Sequence, residues 1–480
     1  MASTAKKKDK NRELITLPDN FNLEQHLIQY PPVKNGFYST LKFNKDKAYY
    51  FLGLITSIAS RSSDLVTHDG YTPIYQKKVR DSIKDIKLYI DYLINTGVIV
   101  CNNTYTVGKK SLGYKWSQQY TLCKFTTKKI ECKYENFDSN QYANQHRDYP
   151  YLFHWYQENK LMIDVIAEDY AFQLYQKKMN DPTKKSWDLD NKGKPKDPES
   201  QYKNAIHNIA KIKYHSYEAH LDEAANRLHS AFTGLGKIYR KYVTYDGEKL
   251  IGIDIKNCQP YMACLILNKD FWSPNSSLPL NIKSLPLAMQ AYMMNPPDHP
   301  SMFKYLSDIN VNDFKDYINV ASSGLFYENV IDLIEKKLDK KLTREEAKKL
   351  MFYTIYSRNK LPKDPYLKQV REIFKEVFPQ ISVFFKFIKH EFEIFKDIEL
   401  IGDKQHNRLA LLLQNIESTI ILHRCCKRIW DEGKQQVPIF TIHDSIVTTV
   451  KHKKYVKDIM TEELKKLIGI QPALSVEEWK

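Results

Sequence analysis

Cysteine is scarce and scattered. The seven cysteines (Cys101, Cys123, Cys132, Cys258, Cys264, Cys425 and Cys426) form no CxxC pair, and none stands at metal-ligand spacing from a histidine. Zinc ribbons and thioredoxin-like redox motifs are thereby excluded. An odd number of dispersed thiols in a long chain fits a reducing compartment, and a cytoplasmic protein is expected. Long apolar runs are missing as well, so no membrane partner is expected. The lysine-rich stretch 1–12 is not followed by an apolar segment and is expected to be a solvated tail, not a secretory signal. Internal repeats are absent, which excludes solenoids and repeat arrays.

What is present points to a folded, basic protein. Hydrophobic residues make up 42% of the chain, with 33 Tyr and 22 Phe, a composition that excludes general disorder. At 480 residues the chain is too long for one ordinary core, so two or three domains are expected. The 73 Lys and Arg against 57 Asp and Glu leave a formal charge of +16, and a polyanion is the first partner to consider. A generally lysine-rich proteome gives the same excess.

Apolar residues recur at helical spacing over 46–60. They do so again over 76–97 as one longer helix, where Val79, Ile83, Ile86, Tyr89, Ile90 and Leu93 share a face and Gly97 ends it. A β-prone run at 98–101, a turn at Asn102-Asn103 and a second run at 104–107 predict a hairpin, with a Gly/Lys-rich loop at 108–113. Helices followed by a hairpin and a basic loop are the pattern of a winged-helix module, which binds nucleic acid or other proteins. Residues 150–180 read as helical, 180–202 as a long polar loop with three prolines, and 203–230 as helical again. From 249 onward short β-rich segments alternate with long helices.

Three segments of the second half hold chemistry-bearing residues. In the first, the apolar run 250–253 delivers Asp254 at a strand end, ahead of Ile255, Gln259 and Pro260. A carboxylate so placed can hold a cation, although a capping Asp at a strand-to-helix turn gives the same pattern. In the second, Thr343 and Glu346 form a capping-box pattern that predicts a helix start. Arg344, Lys348, Phe352 and Tyr356 follow at four-residue intervals and share one face, drifting by roughly 40° per step. The basic end lies in the first turns, where N–H groups and the helix dipole favour a triphosphate. The aromatic end offers a flat surface to a base or sugar. An ordinary amphipathic helix is the plainer reading of the same residues. In the third segment, two β-prone runs flank His443-Asp444 and predict a hairpin with Asp444 at its tip. His443 itself reads as a packed, hydrogen-bonded residue.

Taken in this order, the three segments resemble motifs A, B and C of the family A DNA polymerases and the related single-subunit RNA polymerases. The spacing of Arg344, Lys348, Phe352 and Tyr356 is the most specific of the likenesses. Asn226-Arg227 with Tyr239-Arg240 resembles the segment before motif A that tracks the template–primer minor groove. Gln414, with Glu417 behind it, resembles the Gln-bearing helix between motifs B and C, and 474–479 resembles the last palm strand. The likeness spans about 200–480.

The resemblance implies an α+β right-hand polymerase with an antiparallel palm sheet and a helical thumb and fingers. A winged-helix-like module would occupy 1–148, the thumb 149–235, the palm 236–270 and 386–480, and the fingers 271–385. Nucleotidyl transfer would use two Mg²⁺ ions about 3.5–4 Å apart, for which Mn²⁺ can substitute. Asp254 and Asp444 would be the catalytic carboxylates and, with the Ile255 carbonyl, the metal ligands. Arg344, Lys348, Phe352, Tyr356 and Gln259 would bind the nucleoside triphosphate. Arg227, Arg240, Gln414 and His443 would hold the nucleic acid template and primer. Three positions depart from the DNA polymerases of the family: Gln259 replaces a Glu, Ser445 a second acid, and Ser357 a Gly. Phe352, by contrast, is the aromatic they favour where RNA polymerases have Met. The first 200 residues show no obvious Asp-x-Glu exonuclease motif, so no proofreading is expected. The reading is a DNA polymerase of phage or mobile-element kind. Its rivals are a single-subunit RNA polymerase or primase-like enzyme, and a nucleic-acid-binding replication or defence factor with an inactive polymerase core.

Overall fold

The computed structural model describes residues 12–38, 42–61, 66–67, 69–106, 111–131, 142–190, 193–273, 275–293, 302–309, 314–390 and 406–479. The expected tail lies outside them except for Arg12, as do 108–110 of the expected basic loop. Among the described residues no helix is long and apolar enough to cross a membrane. The chain divides into two compact units. One comprises Met1–Asn144, Glu158–Glu218 and Ser230–Gly247, the other Gln145–Gln157, Ala219–His229 and Glu248–Lys480. Each combines helices with antiparallel sheet.

The principal elements of the first unit are β1 (Arg12–Pro18), α1 (Lys45–Arg61), β2 (Thr72–Pro73), α2 (Gln76–Ser82), α3 (Ile86–Asn95), β3 (Ile99–Cys101), β4 (Gly113–Trp116), β5 (Phe125–Glu131), β6 (Leu161–Ile163), α4 (Ile166–Met179), α5 (Pro198–Lys213) and β7 (Val243–Tyr245). β1 pairs antiparallel with β5, and α1 packs against β1 and α5. A β-carbon on Gly53 would meet Ile15 at 3.3 Å, so this glycine sets how closely α1 lies on β1. β2, β4 and β3 form a three-stranded antiparallel sheet in that order.

Four local expectations change here. The single helix over 76–97 is two helices, α2 and α3, interrupted at Ile83, where the backbone turns extended. Val79, Ile83, Ile86, Tyr89, Ile90 and Leu93 are all buried either way, so their periodicity does not register the break. The hairpin partner of β3 is β4, not the described part of the expected run, 104–106; Val107 lies outside the described residues. Tyr114 and Trp116 are buried whereas Tyr105 is 67% exposed, and burial decides which run pairs. The polar loop after 180 ends earlier than expected, because Asp197 caps α5 by accepting from Ser200 N–H at 2.8 Å and Pro198 takes the first helical position. The string Asp197-Pro198-Glu199 is thus a helix start. Finally, the helix expected to 230 stops at Lys213, and short strands His220–Leu221 and Leu228–His229, of the second unit, pair with each other.

The second unit is built on β8 (Glu248–Ile255), α6 (Cys258–Ile266), α7 (Phe326–Leu338), α8 (Arg344–Tyr356), α9 (Arg408–Ser418), β9 (Ile439–Ile442), β10 (Ser445–Thr449), α10 (Lys453–Ile468) and β11 (Leu474–Glu478). Its strands run antiparallel in the order β9-β10-β8-β11. β8 is therefore an interior strand, and Leu250, Ile251, Ile253 and Ile255 are all buried. Gly252 allows the close approach of its neighbours, since a β-carbon there would lie 3.2 Å from Ser445 Oγ and 3.7 Å from Trp479 Nε1. α10 packs on β8 and β10 through a buried stripe that includes Val456, Met460 and Leu464.

Candidate active site

Strand register sets up the site. β8 places Asp254 opposite Ser445 of β10 on one side and Ser475 of β11 on the other. Asp444 is the chain neighbour of Ser445, at the two-residue tip of the β9–β10 hairpin. Residues directly opposite in an antiparallel pair have Cα atoms about 4.5–5.5 Å apart, so the register brings the two aspartates to one end of the sheet. Both line a cleft of about 520 Å³, together with Ile255, Gln259, His443, Arg227 and Glu417. The tip is strained: His443 has φ 55°, in the left-handed region, which costs a non-glycine residue on the order of 1 kcal/mol.

The other wall comes from α8. Thr343 and Glu346 close a reciprocal capping box: Thr343 Oγ1 accepts from Glu346 N–H, and the Glu346 carboxylate accepts from Thr343 N–H at 2.8 Å. The capping box forms as the sequence predicts, and it takes the N–H groups of Thr343 and Glu346 at this helix start. Arg344, Lys348 and Phe352 line the cleft in succession. Arg344 Nε donates to Glu328 Oε1 of α7 at 2.9 Å, and its guanidinium lies 5.2 Å from the Tyr327 ring centre. Lys348 Nζ lies 5.6 Å from the Phe352 ring centre. Tyr356 packs edge-on to Phe352 and donates its hydroxyl to Gln259 Oε1 at 3.1 Å.

Sequence reasoning missed the part played by Glu417. This residue of α9 is 2% exposed. It accepts from Arg227 Nη2 at 2.6 Å, from Gln259 Nε2, and from the Cys258 thiol at 3.6 Å. Burial raises its pKa, and Arg227 pulls it back. Burial first, then the charge of Glu417, pushes the Asp444 carboxyl up to about 6. Burial likewise drives the Cys258 thiol well up, with Asp444, Glu417 and Asp254 adding to it. Asn257, the residue before α6, has φ 53° and is 4% exposed at the cleft. Its side-chain amide has no hydrogen-bond partner among the described residues. One signal for Glu417 was present in the sequence: a lone carboxylate between Leu409, Leu412, Leu413, Ile416, Ile420 and Ile421 must be buried and hence paired.

The remaining expected residues are dispersed. Gln414 sits half-buried on α9 and is not among the described residues that line the cleft. Arg240 belongs to the first unit, on the 3₁₀ helix Lys237–Tyr242.

Among the described residues no cluster of three or more His, Cys, Asp and Glu could hold a metal ion. The expected donor set is smaller: two carboxylates and the Ile255 carbonyl. Mg²⁺ keeps several waters and takes substrate oxygens, so one or two carboxylates meet its needs. Burial and the neighbouring Glu417 charge disfavour the ionised form of Asp444, which a bound divalent cation would favour. The residues present therefore fit the expected ions.

No family model matches the sequence, and no curated protein does. Among solved structures the chain is similar to one described as the POL domain of Pol1 from M. smegmatis in complex with DNA primer-template and dNTP, at 12% identity and a TM-score of 0.27. The match covers 71% of this chain and 66% of that one, so the chain spans slightly less than two thirds of that structure. A likeness at this score carries no weight for the chemistry, which rests on the geometry of the cleft.

Proposed function

We propose that the chain is a template-directed nucleotidyltransferase, a DNA polymerase without proofreading, in which Asp254 and Asp444 are the reacting carboxylates. One observation carries this reading. The β8–β10 register turns two carboxylates far apart in sequence toward one cleft, which the Arg344, Lys348 and Phe352 face of α8 also lines.

In this reading Asp254, Asp444 and the Ile255 carbonyl would hold two Mg²⁺ or Mn²⁺ ions, which would supply activation of the primer 3′-hydroxyl and charge neutralisation for the leaving pyrophosphate. The chain's own residues act by positioning, as phosphoryl transfer leaves protein side chains little covalent work. Lys348 meets the triphosphate as a point charge, and Arg344 joins it from the preceding turn. Phe352 and Tyr356 lie against the base and sugar. Gln259, held by the Tyr356 hydroxyl, closes the space beside C2′ and so favours deoxyribonucleotides. Arg227 and His443 meet the template–primer at the cleft, and Gln414 and Arg240 are the further contacts. The β9-β10-β8-β11 sheet would be the palm and α8 part of the fingers. Residues 149–235 would be the thumb and 1–148 a winged-helix-like module on duplex phosphates.

The test is extension of a primed DNA template by the full chain with Mg²⁺, using dNTPs and NTPs in parallel. Template-dependent extension with dNTPs is expected, and Gln259→Ala should lower the ratio of kcat/KM for dNTP over NTP. Extension by NTPs alone would move the assignment to an RNA polymerase. Incorporation of neither, by folded protein that binds the duplex, would leave a binding factor with an inactive core.

A further inference from the structure

We infer that Glu417 is a positioning residue for sugar selection: it orients the Gln259 amide so that only the carbonyl oxygen faces Tyr356. The inference deepens the polymerase reading and rests on it.

The argument starts from what each group can donate. An ionised carboxylate only accepts hydrogen bonds, whereas a primary amide has an accepting and a donating end of nearly equal size. Gln259 on its own could present either end to Tyr356. Glu417 removes the choice. Its salt bridge to Arg227, at 2.6 Å, favours the charged form, and its other oxygen takes Gln259 Nε2. The amide nitrogen is thereby committed, and Oε1 is left to accept from the Tyr356 hydroxyl at 3.1 Å. Arg227, Glu417, Gln259 and Tyr356 thus form one polar chain linking α6, α9 and the turn before the strand Leu228–His229 to α8. Because Glu417 is 2% exposed, water is not at hand to replace a lost partner.

The same geometry accounts for Gln, and not Glu, at position 259. A Glu there would face the Glu417 carboxylate in a cleft that already holds Asp254 and Asp444. Moving the carboxylate to 417 and the amide to 259 gives Tyr356 an acceptor without adding charge at 259. Residues 259 and 417 are therefore a matched pair, and their identities can be exchanged only together.

The experiment compares wild type, Glu417→Gln, Gln259→Glu and the exchange double variant Gln259→Glu/Glu417→Gln. Incorporation of dGTP and GTP on a primed template is measured with kcat and KM read separately. Equilibrium affinities for the two nucleotides are measured on a chain-terminated primer–template with Mg²⁺. Each single variant should lower the dGTP-to-GTP ratio by about tenfold, and the double should return to within about threefold of wild type. Thermal melts report whether each variant folds, and the double restores the total charge. A double no better than the worse single would overturn the inference. So would a Glu417→Gln variant that lowers kcat for both sugars alike and leaves the ratio unchanged. If wild type makes no product, the polymerase reading fails, and the affinity ratios of the four proteins still decide the role of Glu417 by the same pattern.

Discussion

Two buried polar clusters, one in each unit, are built in opposite ways. In the first unit Thr16 Oγ1 meets Thr127 Oγ1 at 2.8 Å, Thr56 donates to the Thr16 carbonyl at 3.0 Å, and Thr72 to the Ile55 carbonyl at 3.0 Å. His26 meets Thr96 Oγ1 at 2.9 Å, and burial lowers its pKa, which keeps it neutral. These groups are uncharged and matched to one another, as a stable interior requires. The cleft of the second unit instead gathers Asp254, Asp444 and Glu417, leaves the Asn257 amide without a partner among the described residues, and holds Asn257 and His443 at positive φ. Each of these features opposes folding, and together they are tolerated where something must bind. The contrast separates residues kept for stability from residues kept for chemistry.

The comparison can be broken most severely at Lys348. Lys348→Ala should lower kcat/KM for the nucleotide about a hundredfold, the scale of losing one charged contact to a reacting phosphate. Duplex affinity, followed by fluorescence anisotropy, should change little. Unaltered kinetics at limiting nucleotide would make Lys348 an ordinary surface cation. In the first unit the expected effect is on stability alone. Thr16→Val leaves the Thr127 hydroxyl buried without its partner and should cost about 1–3 kcal/mol in urea unfolding, with kcat/KM unchanged. An equal loss of activity would erase the distinction between the clusters.

The smallest effect is a pH dependence at His423, in the helical segment after α9. Burial, aided by Arg424, holds its pKa down at about 4. The neutral ring accepts from Asn226 Nδ2 at 3.0 Å through Nε2, which leaves Nδ1–H to donate to the Tyr151 hydroxyl at 2.8 Å. Unfolded, the ring titrates near its ordinary value of 6.5. Between those two values the unfolded chain binds the extra proton, so this contribution is complete above pH 6.5 and is lost as the pH falls toward 4. Melting temperatures over that range should fall for wild type and fall less steeply for His423→Gln. Parallel slopes would show that the ring is not held neutral.

Much of the cleft was legible because its signals are local. The capping box at Thr343 and Glu346, the four-residue spacing from Arg344 to Tyr356 and the hairpin at His443-Asp444 are each read within one short segment, and each forms as expected. What escaped depends on distant partners. The break at Ile83 leaves the apolar face intact, so periodicity cannot see it. The choice of 113–116 over 104–106 as partner of β3 depends on which aromatic residues find a core. Glu417 gains its meaning only when Arg227 and Gln259, from other parts of the chain, arrive beside it.

The central claim is that Asp254 and Asp444 form one reacting centre. It is tested most directly by measuring single-nucleotide incorporation and duplex affinity on the same preparations of wild type, Asp254→Asn and Asp444→Asn. The account predicts that each variant loses at least about a thousandfold in incorporation, several kcal/mol of charge stabilisation at the reacting phosphate, while binding the duplex as wild type does. Incorporation within about tenfold of wild type by either variant would contradict it.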